Sequence, residues 1–335
     1  MRRAKHGLLA LGGLLLVLMM AEVLCRCFDV FVPPMLLAKD DAPVTEKPYS
    51  RRRQAHFAAE NRSWANQGVP LRELGYRTSH TLATGTNGVV LLGDSFTAAR
   101  EAPEGASYAE LLQQVLAPTP VVNMGVGGSG LDNMNYQLRS FVDALRPRLV
   151  VCSVYAADLW RHEPDWLQMR NRPVARLEGG RINYVSACQA LRHPFLYYHS
   201  RVYQMDNYLL RKSREQWASN FLTLGSLYRL NEALLGDMKS ACDRHHARLM
   251  VMFIPSRTSL ENGALVLKWT RPRALRRICS LYDIPLLDLT PRLQAKPSAY
   301  YKPGDVHFTE EGHRLAFVRL REFIAEHRLL EAPAE

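Results

Sequence analysis

From Gly88 to the carboxyl end, short apolar runs alternate with amphipathic stretches, and no other feature constrains the fold as much. VVLLGDS (Val89 to Ser95) is an aliphatic run closed by a turn, the pattern of a strand buried on both faces. Ser107 is placed to cap a helix through YAELLQQVLA, which Pro118 and Pro120 close. VVNMG gives a second short strand, a helix follows from about Asp132 to Leu145, and RLVVCSVY (148–155) gives a third strand. Further on come a helix near 222–245, a strand over 248–254, a helix near 264–281, a strand over 284–289 and a last helix near 309–328. Strands joined through helices must cross over to pair, so the pattern predicts an α/β domain with a parallel sheet. One stretch, about residues 158–217, breaks the alternation. It carries Trp160, Trp166 and Trp217 and a hairpin pattern, ARLEGGRINYV, with Gly179-Gly180 at its turn. We read it as an insertion over the sheet's active edge.

A chain of 335 residues, 47% hydrophobic and 22% charged, excludes wholesale disorder and leaves room for one domain plus something extra. The extra part is the amino terminus. MRRAKH precedes an uncharged run from Gly7 to Ala21, and apolar character resumes after Glu22. As a helix, Gly7 to Cys25 spans roughly 28 Å at ~1.5 Å per residue, close to a bilayer's hydrocarbon core. Arg2, Arg3 and Lys5 place the amino terminus in the cytoplasm, and the remainder outside it, by the positive-inside rule. A cleaved signal peptide is the rival reading, but no good small-residue cleavage site and no lipobox follow, so residues 1–28 read rather as an uncleaved signal anchor: a single transmembrane helix in the inner (cytoplasmic) membrane. Residues 29–69, with Pro33-Pro34 and Arg51-Arg52-Arg53, read as a tether and lead-in to a domain over 70–330.

The net charge of +11 suits an anionic partner, but no nucleic-acid motif accompanies it and an exported domain meets no nucleic acid. Six scattered cysteines make no disulfide scaffold and no metal spacing; a single bridge such as Cys242 to Cys279 is possible but is not the expected state. Neither a metal nor a cofactor is called for.

Open parallel sheets take ligands at the carboxyl ends of their strands. After the first strand stand Gly93, Asp94 and Ser95; after the second, Asn123 and the glycines 125, 127 and 128; after the third, Ala156, Ala157 and Asp158. Asp305 and His307 precede the last helix. A serine hydroxyl needs a base to become a nucleophile, and His307 can be that base. Asp305 can hold the other ring nitrogen, although in its place before a helix it can also be an N-cap. The N–H of Ser95 and a glycine N–H of the second loop, best Gly128, can serve as an oxyanion hole. Asn123 is suited to ordering the glycine loop, and Asp94 to anchoring the serine turn.

These blocks resemble the SGNH (GDSL-like) hydrolase superfamily: GDSFT at 93–97, NMGVGGSG at 123–130 with the oxyanion glycine falling on Gly128, and DVHF at 305–308. The resemblance implies a flavodoxin-like three-layer α/β/α fold, with Ser95, His307 and Asp305 as the catalytic residues. NQGVPLRELGYR (66–77) and FIPSR (253–257) further resemble a membrane-tethered subgroup related to alginate O-acetylation proteins. Two features depart from the pattern: the Asp305-x-His307 spacing is shorter than the family's commoner Asp-x-x-His, which resembles the O-acetylation-related subgroup, and the other is at Ala157. Ala157 stands where the family carries an oxyanion Asn, so another group compensates, turnover is slow, or catalysis is lost. The resemblance therefore implies a membrane-anchored serine esterase or O-acyltransferase acting on O-acetyl groups of an envelope or extracellular polysaccharide, with a membrane acyl-donor protein as a candidate partner. A catalytically weak binding or assembly partner in polysaccharide modification or export is the alternative; a lipid-directed esterase lacks any acyl-chain motif.

Overall fold

The computed structural model describes residues 2–28, 76–78, 87–159, 161, 173–186, 200, 202–203, 226–261 and 265–331. The expected tether over 29–69, Trp160, Trp166, Trp217 and most of the insertion lie outside these residues.

An amino-terminal helix, α1 (Arg2–Phe28), precedes the α/β part. That part runs β1 (Val89–Gly93), α2 (Ser95–Ala98), α3 (Tyr108–Leu116), β2 (Val121–Asn123), α4 (Leu131–Leu145) and β3 (Leu149–Tyr155). A hairpin follows, β4 (Pro173–Glu178) and β5 (Arg181–Ser186), then α5 (Ser226–Arg244), β6 (Arg248–Ile254), α6 (Leu265–Leu281), β7 (Leu286–Asp288) and α7 (Glu310–Glu326). The main sheet has the order β2-β1-β3-β6-β7, with every neighbouring pair parallel. Chain order therefore reverses between β1 and β3, which opens a crevice beyond their carboxyl ends, as in flavodoxin-like sheets.

The apolar runs read as fully buried strands because alternate side chains feed two separate cores. Val90, Leu92, Val150, Cys152, Val154, Val251 and Phe253 face α4, α5 and α6. Val89, Leu91, Leu149, Val151, Met250, Met252 and Ile254 face α3 and α7. The result is the three-layer α/β/α arrangement, with both sheet faces sealed. Each such aliphatic side chain contributes about 1.5–3 kcal/mol on burial.

Helix starts follow local chemistry. Ser107 accepts from the Glu110 N–H while Glu110 reaches back to the Ser107 N–H, a full capping box, and Arg77 donates to both Glu110 oxygens at 3.0 and 2.8 Å. In the hairpin, Gly179 and Gly180 both take positive φ (57° and 79°), as a two-residue turn matched to twisted strands demands. The hairpin does more than overlie the sheet: Val174 and Ala175 are buried, and Tyr184 Oη donates to the Asp132 carbonyl at 3.0 Å.

Cys242 and Cys279 are buried free thiols, with no bridge between them, and burial pushes both up to about 12. Each serves as a small apolar core residue. As for the transmembrane helix expected over residues 1–28, among the described residues no helix is long and apolar enough to cross a membrane.

Candidate active site

Ser95 opens α2 directly after β1. Asp94 is the N-cap: its Oδ1 accepts the Phe96 N–H at 2.9 Å, which folds the chain sharply at the sheet edge and leaves the Ser95 hydroxyl half-exposed. The other carboxylate oxygen of Asp94 lies 3.4 Å from Ser95 Oγ, a long contact.

Asp305 and His307 ride on one short loop. An isolated antiparallel bridge between Tyr301 and Phe308 pinches its base, the Lys302 N–H donates to the His307 carbonyl at 2.9 Å, and Gly304 supplies a positive φ of 69° at the turn. The N-cap of α7 is Thr309, whose side chain accepts from the Gly312 N–H, so Asp305 is released from any capping duty. His307 Nε2 stands 2.9 Å from Ser95 Oγ, and Nδ1 stands 2.8 Å from Asp305 Oδ1. Burial pushes the Asp305 carboxyl up. The facing imidazole, together with the N–H groups of Val306 and His307, outweighs that and holds it below its ordinary value. Phe96 backs the imidazole at 5.6 Å between ring centroids and is itself packed against Tyr155 and Phe308.

The loop after β2 lies close against this turn. Met124 N–H donates to the Leu91 carbonyl and Val126 N–H to the Gly93 carbonyl, continuing the sheet's pairing beyond β2. Asn123 ties the loop at both ends, donating to the Thr97 carbonyl at 2.7 Å and accepting the Gly125 N–H at 2.9 Å. Gly125 is obligatory for this approach, since a Cβ there would lie 2.3 Å from the Ala98 nitrogen. Gly128 has a φ of 77° and its N–H belongs to the same tight turn, in which Ser129 N–H donates to the Val126 carbonyl.

After β3, Ala157 presents a half-buried methyl group and no polar atom. The turn it occupies is closed by Asp158, whose Oδ2 accepts the Tyr155 N–H at 2.8 Å.

One residue that sequence reasoning passed over enters here. Arg161, in the stretch read as insertion, is 7% exposed, and its Nη1 lies 2.7 Å from Asp94 Oδ2, 2.7 Å from Asp158 Oδ1 and 3.0 Å from the Ser129 carbonyl. Its guanidinium also lies over the Tyr155 ring at 5.6 Å. Burial alone would weaken its hold on the proton, but Asp158 and Asp94 raise its pKa above the ordinary arginine value. The Asp158-x-x-Arg161 spacing was the only available signal, and such pairs are common on any polar turn.

Fold and site together define a class: a doubly wound α/β protein with a Ser–His–Asp array at the carboxyl edge of its sheet, beside the strand-order reversal. The chain belongs to the GDSL-like lipase/acylhydrolase family, whose model matches residues 91–315. No curated protein sequence matches it. Among solved structures, TesA aligns at 13% identity and a TM-score of 0.46, over 71% of this chain and 98% of its own. The esterase EstA from Pseudoalteromonas sp. aligns at 12% and 0.44, covering 72% and 98%. An acetylxylan esterase from Geobacillus stearothermophilus aligns at 15% and 0.44, covering 71% and 93%.

Proposed function

We propose that this chain is a membrane-anchored serine esterase or O-acyltransferase that acts on O-acetyl groups of an envelope or extracellular polysaccharide. The carrying observation is the relay from Ser95 Oγ through His307 to Asp305, at 2.9 and 2.8 Å. Ser95 Oγ attacks the ester carbonyl carbon while His307 Nε2 takes its proton, and Asp305 stabilises the imidazolium that forms. The oxyanion rests on the N–H groups of Ser95 and Gly128. When the tetrahedral species collapses, the bond to the leaving alcohol breaks and that oxygen takes the proton from His307. An acyl-Ser95 is left. Water then gives hydrolysis; a glycan hydroxyl gives transfer.

The finer parts of the reading rest on sequence. FIPSR (253–257) and the Asp-x-His spacing resemble alginate O-acetylation-related proteins, which supports a polysaccharide acetyl ester as substrate. The basic flank Arg2, Arg3 and Lys5 and the exposed apolar side chains of α1, such as Leu14, Leu16 and Met19, support an inner-membrane anchor with the catalytic part outside the cytoplasm.

Full-length protein in detergent, treated with a fluorophosphonate probe, tests the chemistry. Labelling should appear in the wild type and vanish in Ser95→Ala and His307→Ala. A methyl group at Ala157 favours one second reading, a site that binds its glycan without turning over. In that case a folded wild type stays unlabelled, and glycan binding is indifferent to Ser95→Ala.

A further inference from the structure

The three strand-end loops that make up this site meet on one buried side chain. Asp94 belongs to the loop that turns the chain into Ser95, Ser129 follows Gly128, and Asp158 follows Ala157. The Arg161 guanidinium contacts all three through Nη1, at 2.7, 3.0 and 2.7 Å. These loops come from β1, β2 and β3; the first two are also joined by the Val126 N–H to the Gly93 carbonyl and by the Asn123 amide to the Thr97 carbonyl.

We propose that Arg161 is a positioning residue that sets the Gly128 peptide against the Ser95 turn. The inference rests on the esterase reading of the site. With two carboxylates against one guanidinium, the cluster has no positive charge to spare for an oxyanion, so Arg161 does not stand in for the missing Asn as a donor. It acts on placement. Because Ala157 offers no side-chain donor, the negative charge of the tetrahedral species falls, among the described residues, on the backbone N–H groups of Ser95 and Gly128. Donors that must lie within about 2.7–3.1 Å of a developing oxyanion tolerate little displacement. A misplacement of about 1 Å is enough to cost roughly a hundredfold in rate. Asp94 transmits the hold on one side, since the same carboxylate caps α2 through the Phe96 N–H. On the other side the bond is to the Ser129 carbonyl, one residue beyond Gly128. Lysine at this position retains the charge but carries it on a flexible stem, without the rigid planar guanidinium whose Nη1 is held against all three loops.

The experiment uses the full-length wild type, Arg161→Lys and Arg161→Met, at a temperature well below the melting point of each. Two quantities are read. The first is the first-order rate constant of phosphonylation by a fluorophosphonate, separated from the probe's binding constant. The expected result is a fall of roughly a hundredfold for Arg161→Met and about tenfold for Arg161→Lys, with binding of the probe changed less than about threefold. A merely structural role lowers the melting point and the labelled fraction but leaves the rate of each folded molecule unchanged. The second is amide hydrogen exchange over residues 93–98 and 124–131, which should accelerate in Arg161→Met ahead of β3 and β6. Should Arg161→Met fail to fold, Arg161→Lys carries both readings. Unchanged rate constants in a wild type that does label at Ser95 overturn the inference and leave the esterase reading intact. An unlabelled wild type overturns the esterase reading, and the exchange measurement then decides the clamp alone: no acceleration in either loop ends it.

Discussion

His307 Nε2 lies 2.9 Å from Ser95 Oγ across 212 residues of chain, the first at the end of a loop entering the last helix and the second at the tip of the first strand. Between them the chain completes the rest of the sheet. The proton-transfer geometry is therefore a product of the whole fold, whereas the 2.8 Å bond from His307 to Asp305 is local to a single loop.

Asp305→Asn should separate the two. The loop keeps its shape through the Tyr301–Phe308 bridge, but an amide favours the wrong imidazole tautomer and cannot stabilise the imidazolium. We expect kcat on an aryl acetate to fall by about 10³–10⁴ with KM changed only a few-fold. The melting temperature should hardly move, because the carboxylate is partly exposed. An equal loss in KM and kcat would instead point to a substrate-binding role.

Ala157→Asn adds a side-chain donor beside the crevice. Loss of one such donor elsewhere costs about 10²–10³ in rate. The gain expected here is about ten- to a hundredfold in the phosphonylation rate constant, measured by stopped-flow labelling. No gain would mean that the residue at 157 does not face the developing oxyanion.

His313 is buried on α7 between Tyr108 and Phe308, and among the described residues its Nδ1 has no hydrogen-bond partner. Burial, with the positive charges of Arg77 and Lys302 around it and Glu110 opposing, pulls it down to about 4. In the unfolded chain a histidine takes up its proton near ~6.5. The folded state resists that proton until about 4. Stability is therefore complete above roughly pH 6.5 and declines as pH falls through the window toward the folded value. Urea unfolding at pH 7 and pH 4.5 should differ by about 2 kcal/mol more in the wild type than in His313→Leu.

Gly125→Ala tests how tightly the glycine loop is held. Its Cβ would lie 2.3 Å from the Ala98 nitrogen and 2.6 Å from the Thr97 carbonyl carbon, so backbone must move. A loss of about 1–3 kcal/mol in stability is expected. Ser95 labelling should slow as well, because the displaced atoms belong to α2. Differential scanning calorimetry and probe labelling on the same sample check both.

Much of this was legible in the sequence because it is repetitive or local. The buried strands were visible as aliphatic runs: β6 lies over 248–254 as expected, and the hairpin turns at Gly179-Gly180. The order of the Ser95, glycine and His307 blocks pointed to one sheet edge. What escaped depends on partners far apart in the chain. Arg161 has meaning only once Asp94 and Ser129 are beside it, and its neighbourhood looked like an irregular insertion. For Asp305 the sequence left a helix N-cap as the alternative to a catalytic role, and only the loop geometry, with Thr309 as the cap, decides between them. Cys242 and Cys279, for which a bridge was not the expected state, are buried free thiols in the core.

The pinched loop that carries both Asp305 and His307 makes acid and base a single structural unit. A disturbance of the last helix or of the Tyr301–Phe308 closure carries the two together and spares the bond between them. Damage of that kind would leave the strongly deshielded imidazole proton of the pair in the NMR spectrum while Ser95 falls silent. In this architecture an intact Asp–His signal reports the health of one loop, and the distance to serine has to be measured on its own.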